Sequence, residues 1–476
     1  MASTFHVENF GCRAARADGE AVSDRLRAAG LGGQTPAAAD VVVVNTCSVT
    51  AEADRAARAF IRRAHRLNPQ ARIVVTGCYA QRAPDELAAL AGVAAVVGNS
   101  HKALAPEIIL GLSRRVPAQA DSGLIQIQAA TNIERAIRER LAPSQVVWAD
   151  DRFAHSFLEE AQVVPGTQTR PNLKIQEGCG NRCTFCVIPQ TRGASRSLSA
   201  ASVLKQVKGF VAAGGNELVL SGINLGRWGW DLPGSVEGTS AQRTLAELVR
   251  HIFEQTRLPR LRLSSIEPMD WDSELISLMA EFSGKRLARH AHLPLQSGSD
   301  AVLRRMHRRY RPWHYAEKVA ELVQAAGPEL TLGADVMVGF PGESDAEFEE
   351  TLAFIRALPF GYLHLFPFSP RPGTPGWALH AERPVPAEVV EARMAALRAL
   401  ASEKSKEHRR SFVGKELDAI TLHTPAELTP QGRTAAITEN FLPVELEGLR
   451  EANELVRVTA TGLNAEGMLE ARVELM

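Results

Sequence analysis

The sequence predicts an α/β protein built in three parts, and three observations carry that prediction. Valine-rich runs alternate with helical stretches over the first hundred residues. Strand-like and helical segments then alternate through the middle, and short alternating runs separated by glycine turns fill the end. At 476 residues the chain has length for about three domains. Its 45% hydrophobic and 23% charged content is ordinary for a globular protein. Lys+Arg and Asp+Glu both number 54, so no net charge draws the whole molecule to nucleic acid, although local patches still can.

In the first part, Thr4–Glu8, Val41–Val44 and Arg72–Val75 read as strands, with helices at Ala21–Ala29 and Ala51–Leu67. Continuous β-branched runs of this length suit a parallel sheet covered on both faces. Each strand is followed closely by a cysteine: Cys12, Cys47 and Cys78. In an open α/β sheet the carboxyl ends of the strands share one edge, where ligands bind. The three thiols are therefore expected to converge, although three unrelated buried cysteines would show the same spacing.

Residues 117–170 are weaker in pattern and read as a linker with one or two helices around 132–141. The middle part then offers six strand-like runs: Asn172–Gln176, Glu217–Ser221, Arg260–Ser265, His290–Leu295, Thr331–Val338 and Tyr362–Phe366. Helical patterns lie between them at Ala200–Ala213, Leu245–Gln255, Ser273–Phe282, Asp300–Met306 with Tyr315–Ala326, and Asp345–Leu358. Such alternation argues for βαβ units. Six units are too few for a full eight-stranded barrel, so a partial barrel open on one side is expected.

A long amphipathic helix, Ala387–Arg410, precedes a change of character. Asp418–Leu422, Thr434–Thr438, Leu455–Thr459 and Leu469–Val473 alternate in polarity, with turns at Gly432, Gly448 and Gly462. That reads as a small antiparallel β-barrel, a form that often binds nucleic acid. From Phe412 onward it has five basic against eleven acidic residues, which is unusual for such a role.

No apolar run reaches the roughly 18–20 residues of a membrane helix, and the amino terminus lacks a signal-peptide pattern. A cytoplasmic protein is expected, with no membrane partner. Disulfides are rare in that compartment, so six cysteines point to metal binding or chemistry. Cys179, Cys183 and Cys186 form C-x3-C-x2-C. Structural zinc usually takes four protein ligands, whereas a 4Fe–4S cube held by three thiolates keeps one iron free. The spacing resembles the signature of radical S-adenosylmethionine (SAM) enzymes, in which that iron binds SAM.

The resemblance extends over nearly the whole chain. FGC at Phe10–Cys12, NTCSVT at Asn45–Thr50, VTGCYAQ at Val75–Gln81 and EGCGNRCTFCVIPQTRG at Glu177–Gly193 resemble motifs of the tRNA methylthiotransferases. So do LSGINLG at Leu220–Gly226, RLSSIEP at Arg262–Pro268, HLPLQSGSDAVLRRM at His292–Met306, ADVMVGFPGES at Ala334–Ser344 and FPFSPRPGTP at Phe366–Pro375. The resemblance implies an N-terminal auxiliary-cluster domain (1–115), a linker (116–168), a radical SAM domain (169–400) and a C-terminal TRAM domain (411–476). It implies two 4Fe–4S clusters, one on Cys179, Cys183 and Cys186 that cleaves SAM, and an auxiliary one on Cys12, Cys47 and Cys78 that carries sulfur. NTCSVT with the following AxxDRxxR resembles the branch acting on N6-threonylcarbamoyladenosine at position 37 of the tRNA anticodon loop. One departure is GCRAARADGE (Gly11–Glu20), where that branch tends to read GCKxNQYE.

Further roles follow from resemblance, from position at strand ends and from charge. Gly214, Gly215 and Glu217 resemble a segment that contacts the SAM amino group, although a helix-capping turn is the plainer reading. Ser265 and Glu267 are candidates for SAM hydroxyls, and Gln296, Asp335 and Gly339 lie on or past later strands. RNA contacts are expected from Arg55, Arg58, Arg62, Arg63 and Arg66, and from Arg304, Arg305, Arg308, Arg309 and Arg311 with Tyr310 and Trp313. Arg170, Lys174, Arg182, Arg192 and Arg196 form a third basic group, Trp228 and Trp230 are candidates for base stacking, and Arg433 and Asn440 for RNA contact by TRAM. An electron donor such as flavodoxin or ferredoxin and a sulfur source complete the expected partners. The same chemistry on isopentenyladenosine or on a ribosomal protein, and an iron–sulfur carrier without turnover, are the competing readings.

Overall fold

The structure, a computed structural model, describes residues 3–113, 146–153, 169–232 and 244–474, so the helices expected around 132–141 lie outside the described residues. The chain forms two compact units. The first is built on β1 (Thr4–Asn9), β2 (Gly32–Gly33), β3 (Val41–Thr46), β4 (Arg72–Gly77), β5 (Val93–Gly98) and β6 (Val146–Trp148). All are parallel, in the order β2-β1-β3-β4-β5-β6. The valine run is explained by its two faces. Val42 and Val44 pack against Ala57, Phe60 and Ile61 of helix Ala51–Leu67. Val41 and Val43 face Val22 and Leu26 of helix Arg13–Ala28 and Ile109 of helix Ala105–Ser113.

β3 and β4 each run two residues beyond the expected apolar stretch. Asn45 pairs with Thr76 and Thr46 with Gly77 in the ladder, and Thr46 Oγ1 donates to the Thr76 carbonyl at 2.5 Å. The first helix starts at Arg13, not at Ala21, because Ala14, Ala15 and Ala17 are small enough to bury against the sheet. β5 had no sequence assignment.

The second unit carries β7 (Asn172–Glu177), β9 (Glu217–Gly222), β10 (Arg260–Leu263), β11 (His290–His292), β12 (Thr331–Val338) and β13 (Phe360–Pro367) as six parallel strands. A two-residue antiparallel strand, β8 (Arg196–Ser197), closes the free edge of β7. The six form two sheets, linked where Ala288 donates to the Leu261 carbonyl and Ile266 to that of His292. β11 ends before the expected Leu295, and Pro294 next to it has no N–H to give the ladder. Capping boxes at Thr244–Glu247 and Ser344–Glu347 start two of the covering helices.

The last strands, β14 (Glu416–Thr421), β15 (Arg433–Thr438), β16 (Pro443–Glu447), β17 (Leu455–Leu463) and β18 (Leu469–Val473), close a barrel in the order β14-β15-β16-β18-β17. Two expectations change here. β16 was not foreseen, and it pairs with β18 in parallel. Gly462 is no turn but lies in β17, at a register irregularity opposite β18. Leu417, Val444, Leu446, Val458 and Leu469 fill the barrel. No helix among the described residues is long and apolar enough to cross a membrane.

Helix Ala387–Arg410 ends beside β12, where His408 Nε2 lies 2.8 Å from Thr331 Oγ1. Burial first, then Arg409 and Lys415, push the His408 imidazole down to about 4. An unfolded histidine titrates near 6.5, so the unfolded chain binds the extra proton first as pH falls. This contribution to stability is present above pH 6.5 and is lost between about 6.5 and 4, amounting to about 3 kcal/mol. Urea unfolding across that window checks it: His408→Gln should flatten the acid loss, and equal slopes in both proteins would refute the assignment.

Candidate functional site

On the first unit's sheet edge, the three cysteines stand where the strands end. Cys12 caps helix Arg13–Ala28, Cys47 follows β3, and Cys78 opens helix Cys78–Arg82. Gly11 has φ +100°, and a Cβ there would overlap Cys47 Cβ and lie 2.6 Å from its sulfur, so glycine is needed for this approach. Burial first, then the neighbouring thiols of Cys78 and Cys12, push the Cys47 thiol up to about 12. The three thiols are thus close enough to oppose one another's ionisation, and a thiophilic cation would relieve them. That donor set fits an iron–sulfur centre.

Arg192 has a different place from the expected RNA surface. It is fully buried, its Nε donates to Cys78 Sγ at 3.2 Å, and its Nη1 pairs with Asp18 at 3.0 Å. Asn99 Nδ2 donates to the same sulfur at 3.4 Å. Asp18 also takes Lys102 at 3.5 Å. The departure Gly11–Glu20 therefore keeps a charged contact, while Ala15 and Ala17 occupy packed positions.

The loop after β7 carries the other cysteines. Gly178 has φ +72°, and a Cβ there would run into the Ala194 carbonyl. Cys179 N donates to the Gly193 carbonyl at 3.1 Å, and Cys186 N to that of Cys183 at 3.2 Å. Thr184 is anchored by N–H donation to Met306 O and Oγ1 donation to Arg305 O. Cys179, Cys183 and Cys186 are half-buried. Arg308 Nη1 lies 3.3 Å from Cys183 Sγ, and its Nη2 pairs with Glu267 Oε2 at 2.6 Å.

From there a polar rim crosses the strand ends. Ser265 Oγ lies 2.5 Å from His292 Nδ1, His292 Nε2 lies 3.4 Å from Asp335 Oδ1, and His364 Nδ1 lies 3.2 Å from the same oxygen. Burial would raise the Asp335 carboxyl, but the two neighbouring imidazoles win and hold it well below the carboxylate range. Gln296 takes φ +65°, held by donation of its N–H to Asp335 O at 2.7 Å and acceptance from Met337 N at 2.8 Å. A non-glycine residue in that region stores strain, which collects at functional sites. Gly339 turns the chain after β12, its N–H donating to Glu343 Oε2 at 2.8 Å. Ser265, Glu267, Gln296 and Asp335 are thus gathered on one rim, and sequence reasoning missed His292 and His364 beside them. The signal was available: both alternate onto the face of their strands that Asp335 takes on β12.

Gly214, Gly215 and Glu217 are not on that rim. They stand at the amino-terminal end of β9, whereas Gly222 at its other end pairs with Gln176 beside the cysteine loop. Glu217 is fully buried, 2.9 Å from Arg262, 3.3 Å from Arg260 and 3.5 Å from Arg170. Gly214 O accepts from Asn453 Nδ2 of the terminal barrel at 2.9 Å. The cofactor expectation for these three is corrected: a parallel βαβ array binds at its carboxyl ends.

The basic clusters also resolve unequally. Arg304 and Arg311 pair with Asp300, Arg305 with Glu347, and Arg309 with Asp270, while Tyr310 is buried. Arg170 and Lys174 serve Glu217 and Glu177, Arg55 pairs with Glu52, and Arg58 with Glu86. Arg62, Arg63, Arg66 and Arg182 remain exposed, as does Trp313. Trp228 is buried and donates to Leu198 O, while Trp230 stays partly exposed under Arg227. Arg433 is held by Glu445 and Glu470, and buried Asn440 donates to Glu329 O. The Thr438–Phe441 turn instead docks the terminal barrel: Arg262 Nη2 donates to Thr438 O, Glu439 pairs with Arg289, and Phe441 lies 4.5 Å from His290.

Residues 4–98 match a family described as Uncharacterized protein family UPF0004, and residues 173–355 match the radical SAM superfamily. The chain is 36% identical over 421 residues to the threonylcarbamoyladenosine tRNA methylthiotransferase MtaB of Aquifex aeolicus, covering 88% of this chain and 90% of that protein. It is 35% identical over 451 residues to the protein of the same name from Bacillus subtilis, covering 94% and 91%. The tRNA-2-methylthio-N(6)-dimethylallyladenosine synthase of Erythrobacter litoralis is 33% identical over 430 residues, covering 88% and 87%. Among solved structures, the radical S-adenosylmethionine methyltransferase TsrM from Kitasatospora setae matches with a TM-score of 0.50 at 14% identity, covering 80% and 78%, which shows a shared fold.

Proposed function

The chain belongs to the radical SAM tRNA methylthiotransferase family, and from that premise we propose that it converts N6-threonylcarbamoyladenosine at position 37 of tRNA to the 2-methylthio derivative. The observation that carries the reading is the second thiol set. Cys12, Cys47 and Cys78 form a centre of their own beside Arg192, with Cys47 and Cys78 buried and Cys12 exposed, in addition to the C-x3-C-x2-C loop. A radical SAM enzyme needs one cluster, and a second, sulfur-carrying centre is what methylthio transfer adds. The substrate branch is supported by the names of the two MtaB relatives and by NTCSVT at Asn45–Thr50.

In this reading Cys179, Cys183 and Cys186 hold the 4Fe–4S cluster that binds SAM, and Cys12, Cys47 and Cys78 hold the auxiliary one. The bound cluster and SAM supply a 5′-deoxyadenosyl radical, which an inert aromatic C–H requires. The chain's residues do the rest. Arg308 faces Cys183 with a buried positive charge, balanced by Glu267. Arg192 and Asn99 donate to the Cys78 sulfur and orient it. Ser265, Gln296 and Asp335 line the rim where SAM or the base is positioned. The exposed Arg62, Arg63, Arg66 and Arg182 suit phosphate contact. An electron donor such as flavodoxin or ferredoxin and a sulfur source act in trans.

A second reading, the same chemistry on isopentenyladenosine, is favoured by the Erythrobacter relative at 33% identity. Nucleoside mass spectrometry of total tRNA from cells with and without the gene separates the two. Loss of 2-methylthio-threonylcarbamoyladenosine alone is the expected result. Loss of the methylthio-isopentenyl nucleoside instead would keep the chemistry and overturn the branch, and no change in either would overturn RNA methylthiolation.

A further inference from the structure

We propose that His292, Asp335 and His364 form the subsite that reads the N6 substituent of the target adenosine, selecting a polar side chain that donates hydrogen bonds. The inference rests on the substrate reading above and assigns its specificity to named residues. Three adjacent parallel strands present the three side chains together: β11, β12 and β13, with Asp335 opposite His364 in register. Asp335 Oδ1 sits 3.4 Å from His292 Nε2 and 3.2 Å from His364 Nδ1.

The hydrogen-bond accounts of this cluster are open. The His292 side chain is 6% exposed, yet its buried Nε2 has no partner in good hydrogen-bond geometry. Gln296 is also 6% exposed, and its Oε1 has none either. The His364 ring is 58% exposed, and its Nε2 has no partner among the described residues. A buried polar atom left without a partner costs roughly 1–3 kcal/mol, so a ligand that completes these bonds is favoured over one that excludes water without replacing it. Asp335 is held ionised and offers an acceptor. With the Nδ1 proton given to Asp335, the outward nitrogen of a neutral His364 offers an acceptor.

A threonylcarbamoyl group matches this set. Its ureido N–H groups suit Asp335 and the Gln296 Oε1, and its hydroxyl can donate to the outward nitrogen of His364. A dimethylallyl group would cover the same atoms with hydrocarbon and satisfy none of them. Sites built to bond a polar group reject an apolar analogue far more strongly than apolar pockets reject a polar one. Aromatic stacking supports the presentation: His292 and His364 both lie against the Tyr362 ring, at 5.8 Å and 5.2 Å between centroids.

The test is binding of the reconstituted full-length protein to two anticodon stem-loops, one with threonylcarbamoyladenosine and one with unmodified adenosine at the target position, read by fluorescence anisotropy. Wild type should bind the modified loop about tenfold more tightly, since one hydrogen bond to a charged group has that size. His364→Leu should lower the ratio severalfold, and His364→Gln, which can still accept a hydrogen bond, should retain most of it. A fold defect would weaken both RNAs alike and leave the ratio, so an unchanged ratio in His364→Leu overturns the assignment. Equal binding of both loops by wild type also overturns it. Whether the substrate reading falls too is decided separately by the tRNA nucleosides, which do not depend on this subsite's affinity.

Discussion

Cys183→Ala is expected to abolish SAM cleavage, with no 5′-deoxyadenosine formed, and to remove about four irons per chain. The loop offers three thiols at C-x3-C-x2-C, one for each of three irons, and Cys183 faces Arg308 at 3.3 Å. Removing that thiol leaves a buried guanidinium balanced only by Glu267. The contrasting variant is Cys47→Ala. It should also remove about four irons, from the other centre, while SAM cleavage without RNA persists. Methylthio product should vanish in both. Iron analysis with product mass spectrometry reads all of these. If either single substitution emptied both centres, or if Cys47→Ala stopped SAM cleavage, the two thiol sets would not be independent and the assignment above would fail.

Glu217→Gln is expected to destabilise the second unit by about 3–5 kcal/mol, the usual cost of breaking a buried ion network by removing one partner. Burial alone would push the Glu217 carboxyl up, but Arg262, Arg170 and Arg260 outweigh it and hold it below the ordinary range. Without the carboxylate, Arg262 is left fully buried, with the Thr438 carbonyl as its remaining hydrogen-bond acceptor among the described residues. The melting temperature should fall by roughly 10 °C for a unit of this size. The double variant Glu217→Leu/Arg262→Leu should recover part of the loss, since it removes both charges together. The experiment also decides the corrected expectation: a Glu217→Gln protein as stable as wild type but deficient in SAM binding would return this residue to the cofactor site.

Local regularities made much of this protein legible. Val41–Val44 was readable as a doubly covered strand because β-branched side chains on both faces allow little else. The alternation from Asn172 to Phe366 made the parallel array readable, and the thiols could be placed at strand ends because each follows its run within four residues. β16 escaped because Pro443 masks its start and its five residues pair in a direction that only the closed barrel supplies.

Charge was the property that could not be read. Arg192, Arg262 and Arg308 look in sequence like Arg62 and Arg66, yet the first three are buried against a sulfur, a carboxylate or both, and the last two face solvent. Glu217 and Asp335 each begin as one carboxylate on a strand. What separates a domain anchor from a rim residue is which end of the parallel array each occupies and which side chains of neighbouring strands close on it. The sequence by itself determined the element types, their order and the cysteine spacing, because these depend on periodicity within a few residues. Only the tertiary structure decided which polar side chains pair, which dock the terminal barrel and which stay open on the rim, because desolvation and ion pairing depend on residues brought together from distant segments.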